Sequence, residues 1–229
     1  HTLSWRDLIP VASFLLLGGK CRYCKKRISI QYPLVELACA CIFLLIFNEF
    51  SNFLIFKLVY LLAISSLLIV LFVYDLKYYI LPDKILFPAI GMVVLYRLIE
   101  FGTLNHWEFI GNWKLEIGNL GQLPSPLLAG VLAGAFFLAI FLLSRGRAMG
   151  FGDVKLALFM GLFLGWPNIL VALFLAFLLG AIIGVALLAL KKKGLKSEVP
   201  FGPFLVTGTF LAFLWGESMV QWYWNRFLV

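Results

Sequence analysis

Residues Leu156–Leu190 form a run of 35 residues without a charge. A continuous helix rises about 1.5 Å per residue, so this run would overshoot the roughly 30 Å hydrocarbon core of one bilayer. Gly165-Trp166-Pro167-Asn168 interrupts it, and glycine and proline do not easily continue a helix. The sequence therefore predicts two membrane spans joined by a tight turn. Five further apolar stretches bring the expected spans to seven, near 33–50, 53–74, 84–101, 125–144, 153–165, 168–190 and 200–223. The stretch 84–101 is the weakest, because Arg97 and Glu100 shorten its uncharged core.

Composition agrees with that pattern. The chain is 63% hydrophobic and 13% charged, against about 25% charged in a soluble domain, and its mean hydropathy is +1.01. The expected fold is an all-α polytopic membrane protein whose first partner is the lipid bilayer. A net charge of +8 fits a nucleic-acid binder in principle. Here the basic residues sit in short clusters between apolar runs, where they orient a chain in the membrane, so no nucleic-acid partner is expected. Two regions follow: a cytoplasmic segment, 1–32, and a transmembrane domain, 33–229.

Charge fixes the expected sidedness. One set of loops carries Lys20, Arg22, Lys25, Lys26 and Arg27, then Lys77 and Lys84, then Arg145 and Arg147, then Lys191, Lys192, Lys193 and Lys196. The opposite set carries Glu49, Glu100, Glu108, Glu116 and Glu217, with Lys114. Lys and Arg favour cytoplasmic loops, so the first set is cytoplasmic. Asp75 and Asp153 then both fall at the cytoplasmic ends of their spans.

Carboxylates at a membrane edge are costly and mark function by default. Asp153 follows Gly150-Phe151-Gly152, and Asp75 closes the run Leu71-Phe72-Val73-Tyr74. The two glycines leave the backbone before Asp153 free of bulk and able to reach positive φ, as an extended peptide lying beside the acid requires. A helix start stabilises negative charge at Asp153, and Tyr74 offers Asp75 a hydroxyl. Two carboxylates that share one proton can hydrolyse a peptide: one takes a proton from water, the other polarises the carbonyl. The plainer reading of each acid is an interfacial charge leading a basic loop. Lys77 and Lys155 each stand two residues beyond an acid, off its helical face, and read first as membrane anchors.

Other residues carry weaker signals. Cys21 and Cys24 form one CxxC, half of a tetrahedral zinc site, and fit a redox pair or two free thiols equally well. Cys39 and Cys41 lie inside a span and read as packing residues. Pro200-Phe201-Gly202-Pro203-Phe204 reads as a proline-stiffened helix start or as one wall of a groove near the acids. His1 and His106 are isolated. The segment Thr103–Leu123, with Trp107 and Trp113, reads as an outward-facing aromatic loop.

Gly150-Phe151-Gly152-Asp153 resembles the GxGD pattern of intramembrane aspartic proteases. The run Asp75-Leu76-Lys77-Tyr78-Tyr79-Ile80-Leu81-Pro82-Asp83, with Pro88 after it, resembles the first-aspartate segment of bacterial type IV prepilin peptidases. So do Leu3–Pro10, Lys20–Cys24, Gln31–Glu36 and Pro200–Phe204. The resemblance implies that Asp75 and Asp153 are the catalytic pair, with Asp83 in support. Gly150, Phe151, Gly152, Pro200, Phe201, Gly202 and Pro203 are the candidate substrate contacts. It implies cleavage, after a glycine, of the basic leader of type IV prepilins or secretion pseudopilins at the cytoplasmic face of the bacterial inner membrane. It also implies S-adenosylmethionine-dependent methylation of the new amino terminus. Proteolysis needs no cofactor; structural zinc would involve Cys21 and Cys24. The family's first span and first CxxC would precede His1, giving an eighth helix. A proton-coupled transporter and a non-catalytic pilus or secretion assembly scaffold are the alternatives, each with a different use for membrane acids and basic loops.

Overall fold

The computed structural model describes residues 2, 4–50, 55–103, 125–147, 149–190 and 199–227. The readings on His1, His106, Trp107, Trp113 and Lys191–Lys196 lie outside these residues. Eight α-helices form among them: α1 (Ala12–Leu16), α2 (Gln31–Phe50), α3 (Ile55–Tyr78), α4 (Asp83–Thr103), α5 (Ser125–Leu143), α6 (Phe151–Leu164), α7 (Asn168–Ala189) and α8 (Gly202–Phe227). A 3-10 turn, Trp5–Leu8, precedes α1. All seven expected spans appear as helices α2–α8, with bounds within a few residues of those read from sequence.

Among the described residues, five helices are long and apolar enough to cross a membrane: Gln31–Phe50, Ile55–Tyr78, Pro126–Leu143, Asn168–Ala189 and Gly202–Arg226. The chain is an integral membrane protein. Helix α6 is not among the five. Helix α6 has only 14 residues, about 21 Å of rise. Gly165 ends it at φ +69°, a conformation that side-chain-bearing residues rarely adopt.

Packing divides the chain into two units, His1–Ile69 and Val70–Val229. In the first unit, the short segment before α2 is tied together by polar contacts. The Ser4 hydroxyl donates to Asp7 at 2.8 Å and the Tyr23 hydroxyl at 3.2 Å, while Arg22 Nε meets Asp7 at 2.8 Å. The Ser4 hydroxyl, ahead of Arg22 and Tyr23, holds the Asp7 carboxyl below its ordinary range. The Val11 N–H donates to Glu36 at 2.7 Å, fastening this segment to the first turn and a half of α2. Cys41 is exposed and Cys39 half-buried on α2, so these thiols contribute less packing than their place in an apolar helix implies.

In the second unit α6 is the central element, in contact with α4, α5, α7 and α8. Nearly every residue from Asp153 to Leu164 is buried, because the helix is enclosed by protein. Small residues let its neighbours approach. A Cβ on Gly161 would stand 2.5 Å from the Ala129 carbonyl atoms and from Gly130 Cα of α5. Close backbone approach of this kind is a common basis of helix association in lipid. Gly161→Ala is therefore expected to push α5 from α6 and destabilise the protein by about 1–3 kcal/mol, the usual cost of overpacking. Thermal unfolding in detergent checks this; an unchanged midpoint would contradict the packing described.

Arg97, which weakened the expectation for α4, has a specific task. Its guanidinium donates to the Phe163 carbonyl at 2.9 Å. The last four carbonyls of a helix lack intrahelical partners, so Arg97 satisfies the C-terminal end of α6 and places a cation where the helix dipole favours one.

Candidate active site

Asp75 lies one turn before the end of α3, and Asp153 lies in the first turn of α6. Their exposures are 5% and 7%, low enough that each carboxyl is enclosed by protein. Asp75 is the charged neighbour of Asp153, so the two acids act on each other electrostatically. The Gly202 N–H, at the start of α8, faces the Asp75 carboxyl, and the Gly150 N–H faces that of Asp153. Each acid is thus met by a backbone donor from a glycine, and Asp153 also benefits from the positive end of α6.

Glycine at 202 is a steric requirement. A Cβ there would sit 2.5 Å from Asp75 Oδ2 and 3.4 Å from Leu81 Cδ2. Gly152 serves a related purpose: its Cβ would sit 2.9 Å from Leu81 Cβ. Leu81, in the turn between α3 and α4, is buried and wedged between the two glycines. The starts of α6 and α8 can therefore close on the end of α3. Sequence reasoning passed over Leu81; its only signal was its place in the Ile80-Leu81-Pro82 run.

Neither glycine before Asp153 uses the positive φ open to it. Gly150 is extended, at φ −78° and ψ 154°, and Gly152 is already inside α6. Gly152 thus serves helix packing, while exposed Gly150 and half-exposed Phe151 remain on the open edge of the site. Phe201 belongs to an aromatic cluster, its ring 5.2 Å from Phe177 and 6.2 Å from Phe137 and Phe204 between centroids. Offset aromatic packing at these distances is stabilising and anchors the start of α8 to α5 and α7. Pro203 is buried beside Gly202. The Pro200–Phe204 segment is both a stiffened helix start and a wall against Asp75. Tyr74 packs on the Tyr78 ring at 4.6 Å.

Lys155 is more than an anchor. Its Nζ meets Asp83 Oδ1 at 2.6 Å and lies 5.1 Å from the ring centroids of both Phe87 and Phe151. The contact joins the start of α4 to that of α6.

In the first unit, Cys21 and Cys24 occupy a tight loop closed by the Lys20–Arg27 bridge. The Cys24 and Tyr23 N–H groups hold the Cys21 thiol below its ordinary value, which suits a thiolate ligand. Two thiols supply half of a tetrahedral zinc set. Among the described residues, no group of three or more His, Cys, Asp or Glu side chains completes one.

Residues 1–50 match the bacterial peptidase A24 N-terminal domain, and residues 61–185, more than half of the chain, match the type IV leader peptidase family. The chain belongs to the type IV leader peptidase family. Relatives named prepilin leader peptidase/N-methyltransferase agree. That of Aeromonas hydrophila is 31% identical over 229 residues, all of this chain and 73% of the relative. That of Bacillus subtilis (strain 168) is 32% identical over 223 residues, 97% of this chain and 82% of the relative. That of Pseudomonas putida is 32% identical over 222 residues, 94% of this chain and 69% of the relative. No solved structure matches. As a member of this family the chain is a membrane-embedded peptidase. The transporter and scaffold readings are not favoured, and both acids lie near helix ends rather than at the mid-span position usual for transport sites.

Proposed function

We propose that the protein removes the basic leader of type IV prepilins or pseudopilins, using Asp75 and Asp153 as a shared-proton pair at the cytoplasmic face of the bacterial inner membrane. The observation that carries this reading is the convergence of two enclosed carboxyls from α3 and α6, each facing a glycine N–H. In the resting pair one acid holds a proton and the other is ionised. The ionised acid takes a proton from a water, whose oxygen attacks the scissile carbonyl. The protonated acid polarises that carbonyl and passes its proton to the developing oxyanion. Collapse of the tetrahedral intermediate, with proton donation to the amide nitrogen, releases the leader and the new amino terminus. Loops rich in Lys and Arg support the cytoplasmic placement, and exposed Gly150 and Phe151 offer an edge for an extended peptide.

The test is cleavage of a prepilin, with its basic leader, glycine and apolar segment, by the purified chain in proteoliposomes. Mass spectrometry is expected to show one cut after the glycine. An intact substrate, or a cut within the apolar segment, would overturn the reading. A shared-proton pair also predicts a bell-shaped pH dependence of kcat/KM. Activity falls at low pH as both acids protonate and at high pH as both ionise; a flat profile through the acid range contradicts it.

Methylation of the released amino terminus from S-adenosylmethionine, and zinc held in part by Cys21 and Cys24, belong to the same proposal. The relatives' names support the methylation, and the low-lying Cys21 thiol is compatible with zinc. Both concern the first unit, so their loss in a Cys21→Ser/Cys24→Ser variant is expected to leave cleavage chemistry at Asp75 and Asp153 in place.

A further inference from the structure

Lys155 stands two residues after Asp153, about 200° around α6, so its side chain leaves the helix on a different face from the acid. That face is turned to α4, where Nζ meets Asp83 at 2.6 Å. Asp83 is the first residue of α4 and follows directly on the turn that leaves α3 after Asp75. Leu81 in this turn is the wedge against Gly152 and Gly202. The ion pair therefore closes a short ring: Asp75, the Leu81 turn, Asp83, Lys155 and back two residues to Asp153. The rings of Phe87 and Phe151 flank the ammonium, each centroid at 5.1 Å, and orient it by cation–π attraction.

We propose that Asp83 and Lys155 form a positioning pair that sets the separation of the two catalytic carboxyls; this rests on the Asp75–Asp153 reading above. An anchor in the headgroup region would need no partner on α4. The Asp83 side chain is 52% exposed, and an ion pair so open to solvent contributes little to stability. What it supplies is geometry: a tether between the segments that carry the acids. The pair also fixes Phe151, whose ring packs against Phe141 at 5.5 Å, and with it the entry to α6.

The experiment measures kcat and KM for prepilin cleavage by the full chain in nanodiscs, with thermal midpoints recorded in parallel. Lys155→Met and Asp83→Asn are each expected to lower kcat about tenfold, part of the roughly hundredfold that a 1 Å displacement can cost, with KM changed by less than about twofold. The double variant should be no worse than either single, because both changes break one contact. Lys155→Arg, which keeps the cation, should recover to within about threefold of wild type. Wild-type kcat in both single variants would overturn the proposal. So would additive losses in the double variant, or losses that follow the thermal midpoint. Asp153→Asn is run alongside. If that variant cleaves, the dyad reading itself fails; if it is inactive while Lys155→Met and Asp83→Asn are normal, only the positioning role fails. Should Lys155→Met fail to fold, Asp83→Asn and Lys155→Arg decide the matter.

Discussion

Asp153→Asn is expected to lower prepilin cleavage by about 10³-fold or more, within the range that positioned acid–base groups supply, and Asp75→Asn should do the same. Asparagine keeps the size of the side chain but can neither take a proton from water nor exchange one with its partner. Because the pair works as a unit, the double variant should be little worse than either single. Stability should move differently. Both carboxyls are enclosed, with exposures of 5% and 7%, and a buried charge is costly when it has no cationic partner. A neutral amide relieves that cost, so the thermal midpoint should hold or rise while activity is lost. Single-turnover cleavage followed by mass spectrometry, with unfolding of the same samples, separates the two effects. Near-normal cleavage by either variant would remove that residue from the chemistry.

Gly202→Ala is expected to abolish most activity while sparing the fold. The added methyl would stand 2.5 Å from Asp75 Oδ2 and 3.1 Å from its Cγ. A carboxylate can swing aside, so the collision is relieved cheaply in stability. The relief moves the group that must face water and the scissile carbonyl, and a displacement near 1 Å can cost about 10²-fold in rate. The expected signature is a large fall in kcat with a thermal midpoint close to wild type. Gly161→Ala meets rigid backbone instead, and its expected signature is lost stability. If Gly202→Ala were fully active, the approach of α8 to Asp75 would have no part in catalysis.

The contrast between these glycines indicates what a linear sequence can disclose. Apolar runs and breakers such as Gly165 specify helices because the bilayer imposes length and composition locally. Asp75 and Asp153 were legible for a related reason: a carboxylate at the edge of an apolar run is energetically conspicuous wherever its partner lies. Contacts between helices are less legible. Nothing in the spacing of Asp83 and Lys155 reveals that they meet, because the fold brings together residues 72 positions apart. Arg97 looked like a flaw in α4 until the carbonyl it caps, on α6, was in place. Gly152 read as a flexible edge beside the acid, yet the neighbour that requires it to be glycine is Leu81 from another segment. The shortness of α6 was legible, since the expected span 153–165 is close to the 14 residues found; its enclosure by protein on nearly every side was not.

A shared-proton pair at Asp75 and Asp153 is tested by the separation of their carboxyls in an experimental structure of the wild-type protein in lipid with a non-cleavable prepilin peptide bound. Both are expected to face the scissile carbonyl and to lie within about 6 Å of each other, the reach of two hydrogen bonds to one water. Carboxyls that open into separate cavities, or lie well beyond that reach with the peptide in place, would contradict it.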